Sequence, residues 1–379
     1  VRKSVIAGIA VIVLVGLGVA AVPVVEGYAA KRIKAEIERD GATIVGGVEV
    51  GLLNRSIALT DLKSGRSADV SIGHWQASGL GWPLAELMQG RTPLAGLKWG
   101  DPLQAARLEL RDLRIGNREE GGAWKVESLV LEGLDLARFD ATDVGPYGPL
   151  VLVARALGAL SVRRLEQRGT VFVMPGSGDT LGVATIVVER YKSGHMATVT
   201  AGDIEAMARD GRAPLFRVAD VAISGLDVER ILAAFSSAEW RPSNPIGQIK
   251  VERGSATGFS GDTMARYGVS LGSITIETAR ESDKVSRSRA RIDGFVLAPP
   301  IRSMESLTLR LALQAMGLRE LKLGFDCTGT EDRARGEITV DRCALSGPNL
   351  AEINLTGRIV GVDEAFWDAI DDGDVAALY

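Results

Sequence analysis

Five segments of the chain share one pattern of apolar and polar positions. An apolar residue is followed by any residue, then by Asp or Gly, then by Leu or Phe. The segments are Leu59-Thr60-Asp61-Leu62, Leu110-Arg111-Asp112-Leu113, Leu131-Glu132-Gly133-Leu134, Ile223-Ser224-Gly225-Leu226 and Ile292-Asp293-Gly294-Phe295. In four of them a further apolar residue follows two places on: Ile115, Leu136, Val228 and Leu297. A strand with one buried face repeats every two residues. Here the apolar spacing is three and then two, so the alternation slips at the Asp or Gly. Those residues suit a β-bulge or a local twist. The pattern predicts one building block used repeatedly: strand, kink, strand. An elongated or strongly curved β-structure follows from it; a reaction does not.

Other segments fill in a chain that is mainly β with a few helices. Val25, Ala29, Ile33 and Ile37 recur at helical steps, which predicts a helix over Glu26 to Asp40 with Gly41 as its stop. Strand alternation follows at Val48, Val50 and Leu52, at Val70 and Ile72, at Leu108 and Leu110, and at Leu129 and Leu131. Three more strands are read over 319–360, and an acidic helix begins at Val362 with Asp363 as its cap. Gly158 to Val162 aligns with Gly247 to Val251, and Leu181-Gly182 aligns with Leu271-Gly272. Helices are predicted after both units, from Val228 behind the cap Asp227, and from Ser303 to the stop Gly317. The organisation read from this is an anchor over 1–30, a helix with a first β region over 31–145, and a second β region over 146–379. The second region contains a weak duplication over 158–240 and 247–318.

Two apolar segments do not read as strands. One, Gly79 to Met88, carries Leu80, Trp82, Leu84 and Leu87; the other, Pro149 to Leu160, carries Leu150, Val151, Leu152 and Val153. The second is too short to span a bilayer. Each is read in two ways: as a helix plugging an end of the β-core, or as a surface meeting membrane or lipid through those eight residues.

The N-terminus adds a membrane to the picture. Ser4 to Val25 holds no charge over 22 residues. That is about 33 Å of helix against a hydrocarbon core of about 30 Å. It exceeds the usual apolar run of a signal peptide, and no Ala-x-Ala site follows it, so a retained single-span anchor is the expectation. Arg2 and Lys3 precede the span, and Lys31, Arg32, Lys34 and Arg39 follow it among acidic residues. Counting charges favours the body inside; the signal-anchor arrangement places it outside, and we adopt the latter. The expected location is the bacterial inner membrane with the body in the periplasm. A net charge of −4 with dispersed basic residues argues against nucleic acid as partner.

Candidate chemistry is sparse. Cys327 and Cys343 are the only cysteines. A turn centred on Arg335 places them opposite each other, within disulfide reach. A disulfide and a pair of unlinked core cysteines both fit. His74 and His195 are isolated in sequence and read as structural, so no metal ligand set is predicted. The acidic end at Asp368, Asp371, Asp372 and Asp374 lacks calcium-loop spacing. Gly258-Phe259-Ser260-Gly261-Asp262 has its glycines wrongly placed for a nucleophile elbow. No catalytic residue and no cofactor is predicted, and the chain is read as a non-enzyme.

The span Ser4–Val25 behind Arg2-Lys3, the run Val48 to Leu62, and the closing stretch Leu345 to Ile359 resemble the AsmA-like envelope proteins of Gram-negative bacteria. The resemblance implies inner-membrane anchoring, a periplasmic body of curved sheet, and a part in lipid movement or outer-membrane integrity. Two functions stay open at this point: binding or guiding lipid for envelope maintenance, and structural or assembly work through contacts with other envelope proteins.

Overall fold

The computed structural model describes residues 22–64, 69–81, 100–116, 122–142, 148–209, 211, 213–237, 249–282, 284–301, 304–348 and 350–371. The apolar segment before residue 22, where the anchor is expected, lies outside the described residues. So do Trp82, Leu84, Leu87 and the cap position Ser303. Among the described residues no helix is long and apolar enough to cross a membrane.

The strands form one long antiparallel sheet of seventeen strands that does not close. β1 (Thr43–Ile44) and β2 (Gly47–Gly51) share one side of β3 (Ser56–Ser64). From β3 the sheet runs as a meander through β4 (Asp69–Ser78), β5 (Leu103–Gly116), β6 (Ala123–Leu136), β7 (Leu160–Val173), β8 (Thr180–Lys192), β9 (His195–Met207) and β10 (Pro214–Asp227). It continues through β11 (Arg253–Thr257), β13 (Ser273–Ser282), β14 (Val285–Leu297), β15 (Leu321–Asp332), β16 (Glu337–Ser346) and β17 (Ile353–Val360). The two-residue β12 (Val269–Ser270) also pairs with β14. Short hairpins dominate because each strand finds its partner next in sequence.

The helices sit at the ends and margins. α1 (22–37) is followed by a turn of 3-10 helix at Glu38–Asp40 and stopped by Gly41, whose φ is 66°. Ala29 and Ile33 are buried against the first strands, and Val25 and Ile37 pack beside them, so the predicted helical stripe is the one that docks. Two carboxylates fasten this helix and its extension. Glu26 Oε1 accepts the Leu52 N–H at 2.9 Å, and Glu38 Oε1 accepts the Val45 N–H at 3.0 Å. α2 (Gly148–Ala159) and α3 (Glu229–Phe235) brace one margin; Arg155 ties them by donating to the Ser236 carbonyl. α4 (Asp262–Tyr267), α5 (Met304–Ala315) and α6 (Glu364–Asp371) complete the set. Asp363 caps α6 through the Phe366 N–H, and Gly317 stops α5 at φ 78°.

All five recurring motifs carry a positive φ at their third position: Asp61 51°, Asp112 54°, Gly133 64°, Gly225 61° and Gly294 68°. Gly169, Arg190 and Asp203 do the same in β7, β8 and β9. Only one of the five is a bulge with an extra residue: Asp293 and Gly294 together face Gly324. The other four keep register across the kink. Each kink lies near the C-terminal end of its strand. Because neighbouring strands run in opposite directions, the kinks fall alternately on the two sides of the sheet. Asp61, Asp112, Gly169 and Asp203 make one line, and Gly133, Arg190 and Gly225 make the other. Chains come close together at these lines, which explains a glycine with ordinary φ such as Gly73. A Cβ there would lie 3.0 Å from that of Asp112.

A left-handed residue tolerates Asp but penalises a β-branched side chain. Asp112→Gly is therefore expected to keep stability within about 1 kcal/mol of the parent, and Asp112→Val to lose about 1–3 kcal/mol. Urea denaturation of the pair checks this; equal losses would mean that backbone conformation is not what the position selects.

Candidate functional site

Directly opposed residues of an antiparallel pair point to the same face. The register therefore traces rows of side chains across the molecule. One row runs Ile57, Ala77, Leu108, Leu131, Leu165, Val188, Val199, Ile223, Gly254, Ile276, Ala290, Cys327, Cys343 and Leu355. The next runs Leu59, Trp75, Leu110, Leu129, Gln167, Ile186, Ala201, Val221, Ala256, Ile274, Ile292, Phe325, Leu345 and Ile353. Gln167 is the single polar member of the two. Cys327 and Cys343 sit directly opposite each other in the first row and are joined by a disulfide.

Both rows lie between the two kink lines. Beyond each line the slipped alternation returns apolar residues to the same face, so Leu62 joins Leu59 and Leu134 joins Leu131 in one cluster. These outer positions are the more buried ones. Leu113 and Val126 lie beyond one line, and Ala105, Leu134, Val162 and Tyr191 beyond the other; all are buried. Tyr191 donates its hydroxyl to the Leu157 carbonyl of α2 at 2.9 Å. Between the lines, Leu108, Leu110, Leu129, Leu131, Leu165 and Ile186 are only half-buried. Buried corners with a half-open floor are the burial profile of a trough. α1 covers its first end over Ile57, Leu59 and Ala77. At the far end, Leu355 of β17 is 63% exposed, and all eight residues of that strand are exposed.

The sequence-predicted contact residues divide on this frame. Leu80 is 1% exposed and belongs to the core under α1, and Val151 is 1% exposed on the inner side of α2. Both side chains are enclosed by protein, the first of the two readings given to these segments, and an enclosed side chain has no surface to offer. Leu152 is half-buried, Val153 is 52% exposed, and Leu150 lies in α2. An apolar run cannot by itself separate a helix that covers a core from one that faces lipid.

The opposite face is charged. β5 and β7 each carry Arg-x-Glu-x-Arg, as Arg107-x-Glu109-x-Arg111 and Arg164-x-Glu166-x-Arg168. They line a hollow of about 530 Å³. Arg107 reaches Glu109 at 3.0 Å, Arg111 Nε reaches it at 2.6 Å, and Arg168 Nε reaches Glu166 at 2.7 Å. Burial pushes the Glu109 carboxyl up, but the two guanidiniums together outweigh it and hold it below the usual glutamate value. Each of the four arginines of these two motifs is engaged by a carboxylate. Removing both arginines, Arg107→Gln with Arg111→Gln, leaves burial unopposed, and the Glu109 pKa is expected to rise. A carboxyl-carbon NMR titration reads it. Because a lowered value means stability present above the ordinary glutamate pKa and lost on acidification, the variant should also lose less stability as pH falls through the parent's Glu109 pKa.

No family model matches the chain, and no curated protein matches it in sequence.

One cluster escaped the sequence reading. His195 at the start of β9 is paired in register with Asp227 at the end of β10, and Glu229 opens α3 just beyond. His195 Nε2 lies 3.1 Å from Glu229 Oε2, and Nδ1 lies 3.5 Å from Asp227 Oδ1. Thirty-two positions separate His195 from Asp227, and only strand pairing brings them together.

Proposed function

We propose that the apolar trough binds acyl chains and guides lipid along its length, with the body held at the bacterial inner membrane by the N-terminal segment and lying in the periplasm. The observation behind this is the pair of apolar rows, continuous from β3 to β17, buried under a helix at the first end and half-exposed from β5 onward. A folded chain rarely leaves so much contiguous apolar surface without a use. α1 begins at residue 22, directly after the expected anchor in sequence, and in this reading lipid leaving the membrane enters the trough beyond the helix that covers its first end.

Purified chain spanning 22–379 should yield stoichiometric lipid on organic extraction and mass spectrometry. The start at 22 matters, because cutting at 30 would remove Ala29 from the core. Absence of lipid in every preparation would overturn the reading. A reporter fused after residue 40 tests the placement, and activity confined to the cytoplasm would reverse it.

The exposed edge at β17 supports the second reading, an assembly role in which a partner strand adds to the sheet. Lipid-free chain that binds envelope protein through β17 would favour it.

A further inference from the structure

We propose that His195, Asp227 and Glu229 form a site for a divalent transition-metal ion, with Zn²⁺ the ion that an imidazole and two carboxylates suit. One donor atom from each residue lies within 4.8 Å of the others. Ligands about 2.1 Å from a tetrahedral ion sit about 3.4 Å apart, so the 3.1 Å between His195 and Glu229 is already at ligand spacing.

The ring is bracketed, with one carboxylate beside each nitrogen. Both ring nitrogens are thus within reach of a carboxylate, and an ion on either one would gather the two carboxylates as its remaining protein ligands. Glu229 is 63% exposed, so its side of the cluster faces solvent.

The scaffold is firm. His195 and Asp227 are opposed across β9 and β10. Asp227 Oδ1 accepts the Glu229 N–H at 2.9 Å, and the Val228 N–H donates to the Gly194 carbonyl at 3.0 Å. Gly194 fits only as glycine, since a Cβ would lie 2.9 Å from Glu229 Cα. Lys192 stands opposite His195 and Lys250 bridges to Asp227 through backbone, so neighbouring charge is mixed rather than purely acidic. A bound ion would staple α3 to the β9–β10 end, at the trough margin.

The test uses full chain stripped with a chelator and titrated with Zn²⁺ by calorimetry, with Co²⁺ absorption as a second readout. One saturable site per chain is expected, with a tetrahedral Co²⁺ spectrum and a melting temperature that rises with Zn²⁺. His195→Ala and Glu229→Gln should each weaken binding more than about tenfold, the scale on which even outer partners of a metal act. His74→Ala, which removes the only other histidine, should leave affinity unchanged. His195 is exposed, so loss of binding in a variant with parental circular dichroism is not misfolding. No saturable site in the parent, or parental affinity in His195→Ala, overturns the proposal.

Discussion

The paired substitution Leu131→Glu with Leu165→Lys is expected to strip bound lipid from the chain while leaving the sheet folded. These leucines are direct partners on β6 and β7, midway along the trough floor, and both are half-buried. Seating about ten acyl methylenes on such a floor is worth about 8 kcal/mol, enough for micromolar affinity before ordering costs. A charge pair there keeps its water, and displacing that water for an acyl chain costs several kcal/mol. The sheet tolerates the change because opposite charges at directly opposed positions favour pairing by about 0.2–1 kcal/mol. Val130→Lys is the control. It lies on the same strand, on the charged face, opposite Glu166. Mass spectrometry of extracted lipid should fall to background in the first variant and stay at the parental level in the second. Equal retention in both would remove lipid from the apolar face.

The kink was readable in the chain because the slipped alternation at Asp61, Asp112, Gly133, Gly225 and Gly294 is a local property. Gly169 was hidden because its flanks are Gln167 and Thr170, not apolar residues, and Arg190 because arginine seldom occupies a left-handed position. What no single segment contains is the arrangement of the kinks. Two lines arise only when strands of opposite direction each bend near their own C-terminal end. The same limit applies to the charged cluster. Asp227 read as a helix cap, and its side chain does accept the Glu229 N–H, but its place beside His195 depends on register between β9 and β10. The opposition of Cys327 and Cys343 was accessible because a tight hairpin sets register from a nearby turn. Leu80 and Val151 mark the converse case. Apolar character says that a side chain avoids water, and leaves undecided whether protein or lipid provides the shelter.

Ile33→Ala is expected to cost about 2–5 kcal/mol, the range for emptying a well-packed aliphatic site. Ile33 is 1% exposed and lies with Ala29 over Ile57 and Leu59, so no solvent-facing atom softens the loss. Leu53→Ala should change stability by less than about 0.5 kcal/mol, because that side chain is 87% exposed. Chemical denaturation separates the two. The consequence reaches beyond stability. α1 and the turn after it are clamped to the sheet through Glu26 and Glu38, and α1 packs on side chains of the first strands. A helix loosened by the missing methyl groups would uncover the floor at Ile57, Leu59 and Ala77. Hydrogen exchange should then rise first at Val45 and Leu52, whose N–H groups donate to the two clamping carboxylates, while the β6–β8 amides stay protected. Uniform loss of protection along the sheet would show that α1 and the meander unfold as one unit, in which case the helix is the keystone of the fold and not a cap upon it.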